Sequence, residues 1–285
     1  MDLNTTNGDR TMAIRGFNLT ESSNPALKHE EAFTPISGVE TASIQGVVNK
    51  TAMLTAIALI GGMIGIWIAK QIALTTGVLI GWSLGTAVVT LILYFMAIAN
   101  PMRAVALAPA YALIEGAFLG LFTMMIDNYL ASSGYVVAGG VALQAFVITL
   151  AILMSMLALY YFRILQATPM FTKVVCTLVA GIFIAYLLSF VLYLFGVNMP
   201  FITIFSTPTS GSGMWIGLGL NLFILLIASL MLIIDFKIVE DHVKAGSPKR
   251  IEWFLGFCLL VTLAWIYMEA VKLSARVAIL MGNRD

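Results

Sequence analysis

Charge is scarce in this sequence. Only 10% of the 285 residues are Asp, Glu, Lys or Arg, while 60% are apolar, and the mean hydropathy is +0.99. A soluble domain carries roughly a quarter charged residues. This chain cannot cover its surface with polar groups, so a lipid bilayer must serve as its solvent. The formal net charge of +1 excludes the basic surface that nucleic acid requires. The two cysteines, Cys176 and Cys258, both lie within apolar runs. They exclude a disulfide framework and a cysteine-based metal site. His29 and His242 fall in the polar tail and a polar loop, so no metal centre or cofactor is expected. There is no H-x-x-x-H, no G-x-S-x-G and no phosphate loop, and the chain reads as a non-enzyme. No apolar leader segment is expected either, because residues 1–50 are polar throughout.

What is present is apolar sequence in long runs. Seven of them, at residues 51–69, 77–99, 106–126, 138–162, 171–195, 214–234 and 251–280, are each near the ~20 residues that cross a bilayer. They lack the alternation of an outer-membrane barrel strand, and no open sheet survives in lipid. The fold class is therefore all-α integral membrane, a bundle of seven transmembrane helices over residues 51–285. A polar tail over residues 1–50 precedes it. A short interfacial helix is expected near residues 39–48, leading into the first span. Gly61 and Gly65 form one G-x-x-x-G, and Gly116 and Gly120 another. Such pairs let helix backbones approach closely, either within the bundle or between two copies.

Basic residues in short loops set orientation. With the N-terminus inside, the inner loops carry Arg103, Arg163, Lys173, Lys237, Lys244, Lys249 and Arg250, whereas the outer loops carry only Lys70. The expected location is the cell (inner) membrane, with a cytoplasmic N-terminus. The last run is the exception. If it crosses fully, Lys272, Arg276 and Arg284 lie outside; if it dips and returns, they lie inside. The nearly uncharged stretch 253–270 favours the full crossing.

Ionisable groups at membrane depth are expensive and mark function by default. Asp127, Asp235 and Glu252 fall at the ends of runs, where water and headgroups would solvate them. Glu115 sits mid-run with Tyr111 one turn earlier on the same face. It is a candidate cation or proton ligand, or a partner for a neighbouring helix. Glu269 has two open readings. Lys272 lies three residues on, an intrahelical ion pair ready to form. A second carboxylate beside it would instead share one proton with it. Asp235 is the candidate, yet antiparallel counting separates the two by ~25 Å along the axis. Pairing needs residues 236–241 to extend the sixth helix or the seventh to be broken. Asn221, fourteen residues before Asp235, adds a polar group to the same helical face.

Several stretches together carry a resemblance. They are Ser23-Asn24-Pro25-Ala26-Leu27, Gly46 to Thr51, Ala108 to Gly116, Arg163 to Thr168, Asp235-Phe236, Ser247 to Trp253 and Leu260 to Glu269. With them the chain resembles the Bax inhibitor-1/YccA-like family, in its bacterial branch with a long polar N-terminal tail. The resemblance implies a seven-helix bundle with the last helix central. It also implies a pH-sensitive calcium leak channel gated by a carboxylate pair on helices six and seven. The carboxylates fall at Asp235 and Glu269, the second a Glu where relatives carry Asp. Arg103 is the nearest match to a basic residue that assists gating. Glu115 stands in for an acidic residue missing from helix two, and Asn221 and Lys272 are supporting positions. The expected partners are the bilayer, calcium or protons. The alternative function is an interaction protein that modulates a membrane quality-control protease or a stress or cell-death pathway, with residues 1–50 as the docking arm.

Overall fold

The computed structural model describes residues 40–71, 76–135, 137–197 and 212–282. The Ser23–Leu27 stretch, Arg284 and most of the polar tail and of the 196–213 loop lie outside the described residues. The described residues fold into seven α-helices: α1 (Ile44–Gln71), α2 (Thr76–Ala99), α3 (Ala104–Ser132), α4 (Gly140–Tyr161), α5 (Pro169–Leu194), α6 (Ser212–Lys244) and α7 (Ile251–Gly282). A 3-10 turn, Pro101–Arg103, joins α2 to α3. All seven helices are long and apolar enough to cross a membrane. No strand forms among the described residues; a single bridge pairs Thr41 with Pro248. The chain is an all-α, seven-span membrane bundle, as its composition requires.

Local chemistry sets the helix ends. Thr168 caps α5 by accepting from the Phe171 amide at 3.2 Å, with Pro169 at the first helical position, where its missing N–H costs nothing. Gly139 precedes α4 at φ +77°, a conformation that favours glycine. Three ends fall outside their apolar runs. The expected interfacial helix near residues 39–48 is the start of α1 itself, which begins at Ile44. Helix α3 extends to Ser132. Helix α6 runs on past Asp235 to Lys244, because Phe236, Ile238 and Val239 continue its apolar face against the core.

Helix α7 is the axis of the bundle. It packs on α1, α3, α4 and α6. Phe257 meets the Tyr94 ring of α2 at 6.0 Å, and Glu269 meets Tyr186 of α5. Of the most apolar window of α7, 67% is buried inside the protein, against 11% for α5. The outer helices turn large apolar side chains outward, among them Trp67, Phe95, Met154 and Phe183. Only a bilayer makes such a surface stable. Helix α7 is unbroken over 32 residues, or ~48 Å, so it crosses in full rather than dipping and returning.

The two G-x-x-x-G pairs meet each other inside the bundle. A Cβ at Gly61 would lie 2.1 Å from the Leu113 carbonyl oxygen, and one at Gly116 would lie 1.9 Å from that of Ala58. Helices α1 and α3 therefore touch backbone to backbone, and dimerisation is not needed to account for these glycines.

Candidate functional site

Polar and charged side chains inside the bundle concentrate on α7 and the neighbours facing it. Glu252, Thr262, Glu269, Lys272, Ser274 and Arg276 are all buried on α7, while Asn221, Ser229 and Asp235 are buried on α6. They divide into separate groups at different depths.

The deepest group surrounds Glu269, which is 1% exposed. Its Oε1 accepts from the Tyr186 hydroxyl at 2.6 Å and from Lys272 Nζ at 2.6 Å. Its Oε2 accepts from Asn221 Nδ2 at 2.8 Å. Lys272 Nζ also donates to the Tyr186 hydroxyl at 2.9 Å. One carboxylate is thus held by three helices, α5, α6 and α7. Arg276, buried one turn beyond Lys272, adds a second cation whose field reaches Glu269 and Tyr186. The carbonyl oxygen of Asn221 is buried beside this group with no hydrogen-bond partner among the described residues. Of the two open readings for Glu269, the intrahelical ion pair with Lys272 is the one present.

The second group is simpler. Asp235 is 5% exposed, and its Oδ2 accepts from the Thr262 hydroxyl at 2.6 Å. Among the described residues it has no ion-pair partner. The titratable groups whose field it shares are Tyr94 of α2, Cys176 of α5 and Cys258 of α7.

The structure does not bring Asp235 and Glu269 together. Asp235 lies nine residues before the end of α6, ~14 Å along its axis; Thr262 lies eleven residues into α7, ~17 Å. Glu269 lies eighteen residues in, ~27 Å. Extending α6 through residues 236–244 carried Asp235 inward, as pairing would need. Helix α7 starts at Ile251 without a break, however, so Glu269 remains more than 10 Å deeper. The expected shared-proton pair is therefore two separate carboxylate sites in this conformation.

The other expected residues are scattered. Glu115 is 8% exposed and reaches Thr90 of α2. It also lines a cleft of about 1440 Å³ between α1 and α4, whose floor includes Thr123 and Tyr267. Arg103 is exposed in the 3-10 turn. Two residues expected to be solvated at the interface are engaged instead. Asp127 Oδ1 accepts from the Val141 amide at 3.2 Å, joining α3 to the start of α4. Glu252 is 2% exposed, and its Oε1 accepts from the Ser43 amide at 3.0 Å and the Ser43 hydroxyl at 3.2 Å. Its carboxylate fits because residue 46 is glycine; a Cβ there would lie 1.9 Å from Oε1.

Residues 40–43 form a strap across the α6–α7 turn. The Ala42 amide donates to the Ser247 carbonyl at 2.7 Å and the Lys249 amide to the Glu40 carbonyl at 2.9 Å; Lys249 also forms an ion pair with Glu40. Sequence reading missed this strap, and it missed Tyr186 and Thr262 as partners of the two acids. Each is one of several hydroxyls in its apolar run, Tyr186 beside Thr177 and Ser189 and Thr262 beside Tyr267 and Ser274, so the sequence does not single it out. Among the described residues, no three His, Cys, Asp or Glu side chains come together to hold a metal ion.

A lipid-faced bundle with a buried, charged central helix defines a polytopic membrane protein built around an internal polar axis. Within that class, the family model described as Bax inhibitor 1 like matches residues 18–278, and the chain belongs to that family. Comparison with curated proteins and with solved structures gives no significant match.

Proposed function

We propose that this protein is a pH-sensitive cation leak channel, with Asp235 of α6 and Glu269 of α7 as two successive carboxylate stations along the α6–α7 contact. One observation carries the reading. Two acids are buried at different depths on the helix contact at the centre of the bundle, and only the deeper one is neutralised by a cation. A carboxylate without a cation is expensive at this depth and is kept for use.

The described conformation is closed. Lys272 occupies the Glu269 carboxylate where a permeating cation would sit, and Tyr186 and Asn221 donate to its two oxygens. With its proton, Asp235 is neutral and α6 packs on α7 over Thr262. As pH rises and the proton leaves, the unpaired charge loosens that contact and draws a cation inward. Hard, oxygen-seeking Ca²⁺ suits this path: Asp235, Thr262, the unpartnered Asn221 carbonyl oxygen and Glu269 supply only oxygen ligands. The bias of basic residues toward one set of loops supports a cytoplasmic N-terminus in the cell membrane.

The test is calcium flux into liposomes bearing the full chain, followed as pH is raised. Flux should rise with pH, and Asp235→Asn should flatten that dependence. Unchanged pH dependence in Asp235→Asn would sink the gating role. No flux at any pH would sink conduction itself.

The strap supports a second reading, an interaction protein acting on a membrane protease or a stress pathway. Residues 40–43 fix the polar tail to the α6–α7 turn and deliver it at one place on the membrane surface. Co-purification with and without residues 1–39 separates the two. A partner lost on truncation, with no flux in liposomes, favours the docking role.

A further inference from the structure

A second cavity, of about 430 Å³, lies at the strapped end of the bundle, away from both carboxylate stations. Lys50 of α1, Met102 of the 3-10 turn, Val105 of α3, and Lys249, Arg250, Glu252 and Trp253 around the start of α7 line it. Three cations face one carboxylate. One oxygen of that carboxylate is committed elsewhere, because Glu252 Oε1 takes both the amide and the hydroxyl of Ser43, and its single charge leaves the three cations in excess. Lys50 lies over the Trp253 ring, its Nζ 4.6 Å from the centroid, so its stem is packed and its ammonium fixed beside the cavity. Lys249 forms its ion pair with the exposed Glu40, which another anion can replace at small cost, and also lies in the field of Glu252. The lining changes character from the exposed Lys249 and Arg250 to the half-buried Trp253 and Met102, with the exposed Val105 on the apolar side.

That order matches the layers of a membrane surface. The apolar part of α1 begins at Thr51, directly after Lys50, and that of α7 at Trp253. Trp and Lys at such positions mark the headgroup level. A cavity of this size holds a small ligand. Its excess positive charge selects an anion with several oxygens, and its apolar side selects one carried on a hydrocarbon body.

We propose that this cavity binds the phosphate group of an anionic phospholipid, with Lys50, Lys249 and Arg250 on the phosphate and Trp253, Met102 and Val105 against the glycerol and upper acyl chain. Binding replaces Glu40 on Lys249 and so loosens one end of the strap. The inference does not rest on ion conduction.

Native mass spectrometry of the full chain in mild detergent tests it, with phosphatidylglycerol and phosphatidylcholine titrated in parallel. The wild-type chain should retain phosphatidylglycerol in preference. Lys50→Gln with Arg250→Gln should weaken that retention by about tenfold or more, whereas Lys237→Gln with Lys244→Gln, exposed lysines at the same end, should leave it unchanged. Val105→Trp fills the cavity without altering charge and should abolish the preference too. Arg250→Gln alone, at an exposed position, supplies a well-folded variant with a partial loss. Equal retention of the two lipids overturns the proposal, as does an equal loss in the control pair or full retention in Val105→Trp. Displacement of bound lipid by millimolar inorganic phosphate overturns the lipid assignment in favour of a soluble phosphate site.

Discussion

Asp235 and Glu269 lie within the same pair of packed helices, more than 10 Å apart in depth, and their surroundings differ. Glu269 has a cation, a phenol and an amide drawn from three helices, so its charge is neutralised and every oxygen is occupied. Asp235 has one neutral hydroxyl. The first is a structural tie as the chain stands, joining α5, α6 and α7 through one carboxylate. The second is a group whose proton can come and go without breaking an ion pair. Depth alone does not distinguish the two buried acids; the counter-ion does, present at Glu269 and absent at Asp235 among the described residues.

The largest effect should come from removing the cation at the deeper site. Lys272→Met leaves Glu269 charged and unpaired, and should cost about 3–5 kcal/mol, read as thermal unfolding in detergent. Adding Glu269→Gln to it should restore most of that loss. A cost under about 1 kcal/mol for the single change would break the comparison. Next, Tyr186→Phe removes a charge-assisted hydrogen bond that ties α5 to the core, and should cost about 1.5–3 kcal/mol in the same measurement. At the shallower site the effects should be smaller. Thr262→Val should cost about 1 kcal/mol, in line with interhelical hydrogen bonds in membranes. Asp235→Asn keeps an acceptor for Thr262 and should change stability by less than about 1 kcal/mol, while under the proposed function it should still flatten the pH dependence of flux. If Asp235→Asn destabilised as much as Lys272→Met, both acids would be structural and the distinction would vanish.

The smallest effect concerns the strap. The Lys249 ammonium holds the Glu40 carboxyl below its ordinary 4.5, and Glu40 holds Lys249 above its ordinary 10.5, each chiefly through their hydrogen bond. The Glu40 contribution is complete above pH 4.5 and is lost as pH falls through its depressed value. The Lys249 contribution is complete below pH 10.5 and is lost as pH rises through its raised value. Hydrogen exchange at the Ala42 amide should therefore show steady protection between those limits and weaker protection beyond them. Glu40→Gln should weaken it slightly at neutral pH.

Seven spans and the full crossing of α7 were legible because apolar length is written locally, whereas the central place of the last helix came from the family resemblance. The inward extension of α6 was not. Residues 236–244 alternate Phe236, Ile238 and Val239 with Lys237, Glu240 and Asp241, which lowers their hydropathy to that of a loop. Their charged side chains instead pair along the outer face, Lys237 with Asp241 and Glu240 with Lys244. Counting residues from the turn separated Asp235 from Glu269 by ~25 Å; the extension of α6 to Lys244 shortens that to ~13 Å, still too far for the pairing the family resemblance implied. Candidate charged positions could be read as a set, because charge is rare in such a chain. Their partners could not: Tyr186 is 83 residues from Glu269, and Ser43 is 209 from Glu252. Nothing local announces such contacts.

The strap has a consequence for how the protein is made. Ser43 reaches its seat on Glu252 only after 209 further residues have been synthesised. At about 5–20 residues per second that is a delay on the order of 10–40 seconds. Through that interval the approach to α1 has no docking place, and the Gly46 notch stands empty. The helix that fills it also brings Glu269, Lys272 and Arg276 into a bilayer that already holds six others. The step that closes the N-terminal seam is therefore the same step that hides the charged axis from lipid, and the capture of residues 40–43 reports both events.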